Sequence, residues 1–199
     1  MHSVHTENYK GYTIEISQDQ YAGNPYEEWD NLGTMCHWHR RGFIGEDLSR
    51  LERETIQSRV DKILAEGGVL LPVYLYEHSG QTINTKGFSC PWDSGQVGFI
   101  YCDADKIRKE YSCKRITKKT REKVTEALRA QVKTLDDYLT GNVYGYIVKD
   151  AKGEEQDSCW GFYGDYDQEH GILSEAKSAV DSLEKEALPL LAQANPLHA

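Results

Sequence analysis

An α+β fold with a mostly antiparallel sheet is predicted by three features of this 199-residue chain. Short runs alternate apolar and polar residues between turn signals. Two of them join as an evident hairpin, and three longer stretches repeat apolar residues at helical spacing. About six or seven strands packed with three helices are expected. They form a single domain of residues 1–199, with the C-terminal helix at about 173–194 a candidate appended interaction element.

Taken in order, Tyr12, Ile14 and Ile16 alternate with Thr13, Glu15 and Ser17 as a half-buried strand. A polar loop with turn residues Gly23, Asn24 and Pro25 follows, and Thr34 to His39 reads as a second strand. Asp47 is expected to cap a helix whose apolar stripe is Leu48, Leu51, Ile56, Val60, Ile63 and Leu64, ending at Gly67. Val69 to Tyr76 is apolar on both faces, which favours a central strand, whereas Pro72 favours an edge or a bulge. Thr82 to Phe88 and Gln96 to Cys102 are two further strands. A long helix over about Thr117 to Leu139 places Val124, Leu128, Val132 and Leu135 on one side, with Gly141 beyond its end. YGYIVKD, the turn AKGE and QDSCWGFYG form the hairpin, and Trp160 is expected in the core. The last helix, from about Ser174, carries a narrow seam of Leu173, Ala176, Val180, Leu183, Ala187 and Leu190, with Pro189 expected to kink or end it.

Composition bounds the rest. Hydrophobic residues are 39% and charged residues 28%, a balance that supports a packed core. The longest apolar run, Val69 to Tyr76, is far too short to span a membrane, so no membrane partner is expected. The first residues, MHSVHTENYKGY, lack an apolar export core, and the five cysteines include no CxxC pair. Both observations place the chain, as an expectation, in the reducing cytoplasm. Net charge is −9, yet Lys106 to Lys133 holds eleven basic residues against three acidic ones, while both ends of the chain are acidic. Such a distribution makes a strong dipole if the fold keeps the two signs apart.

The basic stretch KIRKEYSCKRITKKTREK is the main binding candidate. Lys118, Lys119, Arg121 and Lys123 fall in the first turns of the long helix, where the helix dipole is already positive. Cations there are tolerated through exposure or compensated by an anion, such as a phosphate backbone or an acidic protein face. Arg115 adds to the charge, and Tyr111 lies where it can stack on a base. A second candidate surface, acidic and aromatic, comprises Trp92, Asp93, Tyr163, Asp165, Asp167 and Glu169. The last three acids resemble a calcium loop only in spacing, without its glycine or its twelfth-position Glu.

Chemistry is weakly signalled. His37 and His39 on a strand project to one face, about 6.5–7 Å apart, and with His78 or a carboxylate they could serve one metal. The second ligand pair of a structural zinc site is missing, and a pair of surface histidines beside Trp38 is the plainer reading. Cys90, in the loop Cys90-Pro91-Trp92-Asp93, lies where a reactive thiol would, but no base is indicated by spacing. There is no Walker loop and no GxGxxG, and no cofactor is expected.

The segments YLYEHSGQTINTKGFSCPWDSGQVGFIYCDADKIRKEY, DSCWGFYG and MCHWHRRG resemble a family of small, mostly uncharacterised proteins encoded by bacteriophages and other mobile elements. The resemblance spans roughly residues 9 to 166. It transfers no catalytic residues; what it implies is context, since small acidic phage proteins often bind host machinery. The expected function is that of an accessory protein, monomer or homodimer, which inhibits a host defence nucleoprotein of restriction or CRISPR type by stoichiometric binding. Two alternatives stand beside it: a metal- or thiol-dependent enzyme acting on nucleotides or nucleic acid through His37 and His39 or Cys90, and a direct nucleic-acid-binding regulator using residues 106–133.

Overall fold

The computed structural model describes residues 3–39, 44–166 and 171–194. They fall into two compact units, one built from residues within 1–23 and 141–199 and the other from 24–140. Nine strands and five helices are present among the described residues, in two sheets. The fold class is α+β as expected, but the single sheet of six or seven strands with three helices is corrected in detail.

The first unit opens with β1 (Ser3–Tyr9) and β2 (Tyr12–Gln18). It resumes with β8 (Val143–Lys149), β9 (Glu155–Tyr163) and α5 (Ile172–Ala194). Its antiparallel sheet has the order β1-β2-β8-β9. Ile14, Ile16, Tyr146 and Val148 form the covered face, closed by Ile172, Ala176 and Val180 of α5. Those three lie at i, i+4 and i+8, the spacing of one helix face. The helical seam is therefore spent on the chain's own sheet, with Leu173 and Leu183 partly buried beside it. The side chains of Ala187 and Leu190 lie outside the described residues. The helix continues through Pro189 to Ala194 and so does not end there. Gly153, with φ of +84°, supplies the left-handed turn of the β8–β9 hairpin.

Trp160 is not core. It is half-buried on the opposite sheet face and lies over Gly145, where a Cβ would fall 2.1 Å from its Cε3. The bulge in β9 between the partners of Tyr144 and Tyr146 re-aims this side chain. β1 was not legible because its half-buried positions Ser3, His5 and Glu7 are polar while its one aliphatic residue, Val4, is exposed.

The second unit contains α1 (Pro25–Glu28), β3 (Thr34–His37), β4 (Glu46–Asp47), α2 (Arg53–Ala65), β5 (Val69–Glu77), β6 (Gln81–Asn84), β7 (Ser94–Cys102), α3 (Ala104–Glu110) and α4 (Lys118–Thr140). The sheet order is β4-β3-β7-β5-β6, antiparallel except for the two-residue β3–β4 pairing. On one face Val73, Leu75, Ile83, Ile100 and Cys102 meet Val124, Leu128, Val132 and Leu135 of α4. On the other, Cys36 and Phe99 meet Leu48 and Ile63, with Ile56 and Val60 of α2 alongside. Helix, sheet and helix thus form three layers. Each fully buried aliphatic side chain contributes about 1.5–3 kcal/mol.

The expected cap at Asp47 is a further correction. Asp47 pairs with His37 in β4, and α2 starts six residues later behind Glu52. Its buried stripe narrows accordingly: Leu51 and Leu64 are exposed, while Leu48 reaches the core from the segment before the helix. The Pro72 conflict resolves through partner lengths. β5 is internal, but β6 pairs only with Tyr74–Glu77, so Pro72 lies where β5 has β7 alone as a neighbour and can do without an N–H. β6 stops at Asn84, whose Oδ1 accepts the N–H groups of Lys86 and Gly87.

Two outcomes follow. Leu128→Ala, which empties a fully buried position under the sheet, should cost about 2–5 kcal/mol in urea denaturation, whereas Leu64→Ala should stay within about 0.5 kcal/mol. Desolvation pushes the Cys36 thiol up to about 12 and the Cys102 thiol to about 11. Alkylation at pH 8 read by mass spectrometry should therefore label exposed Cys159 in the folded protein, and Cys36 and Cys102 only after unfolding.

Candidate functional site

Two chemically distinct surfaces lie at opposite ends of the five-stranded sheet. β7 links them: Ser94 starts it at one end and Cys102 finishes it at the other, about 26 Å apart at ~3.3 Å per residue.

At the Ser94 end the segment after β3 and the end of β5 converge with the loop before β7; β3 stops at His37, so His39 lies beyond the strand on which it was expected. Here the fold joins residues that are far apart in sequence. His39 Nε2 lies 3.7 Å from Glu77 Oε2, and His78 Nδ1 lies 3.6 Å from Asp93 Oδ2. The Cys90 thiol points to that same Asp93 oxygen at 3.8 Å, and Ser94 Oγ donates to the Cys90 carbonyl. Trp92 stands 89% exposed on a shallow pocket that His39, Glu77, Asp93 and Ser94 also line. Glu77 escaped the sequence reading: at the end of an apolar strand, no motif marks it out.

The two candidate metal histidines have unlike surroundings. His37 is buried, and desolvation holds its imidazole below the usual range, opposed by Asp47 and reinforced by the neighbouring His39. His39 pairs with Glu77, and His78 pairs with Asp93 rather than joining them. Among the described residues no group of three or more His, Cys, Asp or Glu is arranged to hold a metal. The thiol has a carboxylate for a neighbour, whereas reactive thiolates are set beside cations.

At the Cys102 end the Asp103 side chain caps α3 by accepting the Lys106 N–H. Thr117 Oγ1 accepts the Thr120 N–H and so caps α4. The basic residues divide into two sets. Lys106 donates to the Asn31 carbonyl, Arg108 pairs with Asp105, and Arg121 donates to the Gly68 carbonyl, anchoring α4 to the turn after α2. Lys118 approaches Glu122 at 4.0 Å, a fully solvated pair of little energetic weight. Lys109, Lys114, Arg115, Lys119 and Lys123 are exposed and form no ion pair among the described residues. Tyr111 packs half-buried against the core, and burial raises its phenol pKa.

The remaining candidates belong to the first unit. The Tyr163 hydroxyl donates to the Gly23 carbonyl at 2.6 Å, and Asp165 is exposed. Asp167 and Glu169 lie outside the described residues.

Burial of His37 has a thermodynamic consequence. The folded protein resists protonating an imidazole that the unfolded chain protonates readily below about 6.5. The unfolded state then binds more protons, so this group's contribution falls as pH drops through the unfolded value. Urea denaturation at pH 7 and pH 5 should show a smaller stability loss for His37→Asn than for the parent.

No family model, curated protein or solved structure matches this chain.

Proposed function

We propose that the chain is a stoichiometric binding protein which occupies a nucleoprotein complex and blocks its action, as phage-type accessory proteins do against host restriction or CRISPR complexes. One observation carries this reading. In a chain with 32 acidic and 23 basic residues, five exposed cations between Lys109 and Lys123 form no ion pair among the described residues. A polyanion can approach such a face, and the first turn of α4 adds its own positive potential. Phosphate backbones supply anionic groups at the density such a face requires. The exposed Trp92 with Asp93 and Glu77 offers the separate kind of surface that a protein component would contact. The resemblance to proteins of phages and mobile elements supports the host-directed context.

The enzyme reading draws less support, because the Cys90 thiol faces a carboxylate and the histidines are dispersed into separate pairs. A direct nucleic-acid regulator shares the basic face and differs in needing no protein component.

Recovery of partners by the tagged chain from a bacterial host, eluted in a salt gradient and read by mass spectrometry, should yield a defence complex in near-stoichiometric amount. Titration of that complex should saturate at one-to-one or two-to-one, and full inhibition by a catalytic amount of the chain would overturn the proposal. Lys119→Glu with Lys123→Glu should weaken binding at least tenfold with Tm unchanged, since both side chains are exposed and neither forms an ion pair among the described residues. The logarithmic salt dependence should also flatten by about 0.9 for each phosphate that the variant no longer neutralises. Recovery of nucleic acid alone, released at moderate salt, would favour the direct regulator.

A further inference from the structure

A cleft of about 130 Å³ lies within the second unit, between the segment carrying α1 and α4. Buried Met35, Ile100 and Leu135, the rings of Tyr26 and Trp29, and exposed Ala130 line it. A pocket this small is scaled to one ring: an apolar cavity of about 150 Å³ accepts benzene.

The polar atoms around it are already engaged. Asn31 Nδ2 donates to the carbonyls of Pro25, Tyr26 and Trp29, and its Oδ1 accepts from Gln131 Nε2 at 2.8 Å. Gln131 Oε1 accepts the Gly33 N–H at 2.8 Å, and the Thr134 hydroxyl is turned back to the Ala130 carbonyl. Lys106 closes the set from α3 by donating to the Asn31 carbonyl. This network fixes the lining in place without help from a ligand. It also leaves hydrocarbon and ring faces as the surface a guest would meet. Ala130 and Thr134 lie one turn apart on α4 and both line the cleft with short side chains, so a larger side chain at either position takes up room in it.

We propose that this cleft is a binding site for a small, uncharged molecule built on a single aromatic ring. Preformed walls, engaged polar groups and a one-ring volume together select against charged guests, because no counter-charge within the cleft replaces their lost hydration. The site is independent of the basic face and of the reading based on it.

The test uses the full chain with benzene, phenol and benzoate as probes, followed by amide chemical shifts and by Tm. Benzene and phenol should give saturable shifts at Gly33 and at the side-chain amides of Asn31 and Gln131, and should raise Tm. Benzoate should bind at least tenfold more weakly. Ala130→Leu changes an exposed helix position to a good helix former and places a larger side chain in the lining of the cleft. It should abolish the shifts and the Tm gain while leaving the unliganded fold intact, and Thr134→Leu serves the same purpose if the first variant fails to fold. No saturable shift up to the solubility of benzene and phenol would overturn the proposal, as would undiminished binding by both filled variants.

Discussion

The packing of α4 on the five-stranded sheet is the interaction on which the second unit depends. Val124, Leu128, Val132 and Leu135 lie on one helical face and are buried against β5, β6 and β7. Everything else that α4 does follows from that placement. Near its start Arg121 reaches the turn at Gly68; in its middle Gln131 holds the segment before β3; near its end Asp136 accepts from the hydroxyl of Thr82 and the amide of Ile83, tying down the edge strand β6. The apolar face supplies the energy, and polar contacts along its length set the register. Lys133 pairs with the buried Asp137 one turn on, so even the acid nearest the core is neutralised within the helix.

With α4 seated, the charge asymmetry of the sequence acquires a direction. The helix brings its basic start to one end of the sheet, whereas the opposite end collects two carboxylates, two histidines paired with them and an exposed tryptophan. A nucleoprotein presents both phosphate and protein surface, and a fold holding its cationic and its acidic, aromatic faces apart is suited to engaging both.

How much of this was legible depended on where the information resides. The α4 stripe and the β8–β9 hairpin could be read because period and turn chemistry are local properties. Asp47 misled because a residue typed as a helix cap also suits a short edge pairing, and only the partner His37 decides between them. β1 carries polar residues where a strand signal would need apolar ones. Trp160 was misplaced because its side depends on a bulge in the facing register, which sequence alternation does not reveal. For the candidate surfaces, the exposure of the basic residues was foreseeable from their density. The meeting of His39 with Glu77, and of His78 with Asp93 and Cys90, arises from long-range strand pairing and had no local mark.

The β2–β8 junction bears on how the chain is made. Asp19 N–H donates to the Val143 carbonyl and Gln18 Nε2 to the Gly141 carbonyl, so two neighbouring strands of one sheet are separated by the whole of the second unit. During translation β2 leaves the ribosome about 120 residues ahead of its partner, roughly 6–25 s at usual elongation rates. Throughout that interval Ile14 and Ile16 have no sheet to complete and no helix to cover them, because β8, β9 and α5 all follow the second unit in the chain. The intervening unit can assemble all five of its strands meanwhile. The β1–β2 hairpin is therefore completed into its sheet only after the whole of the second unit has been made, so the order of synthesis delays the first sheet relative to the second.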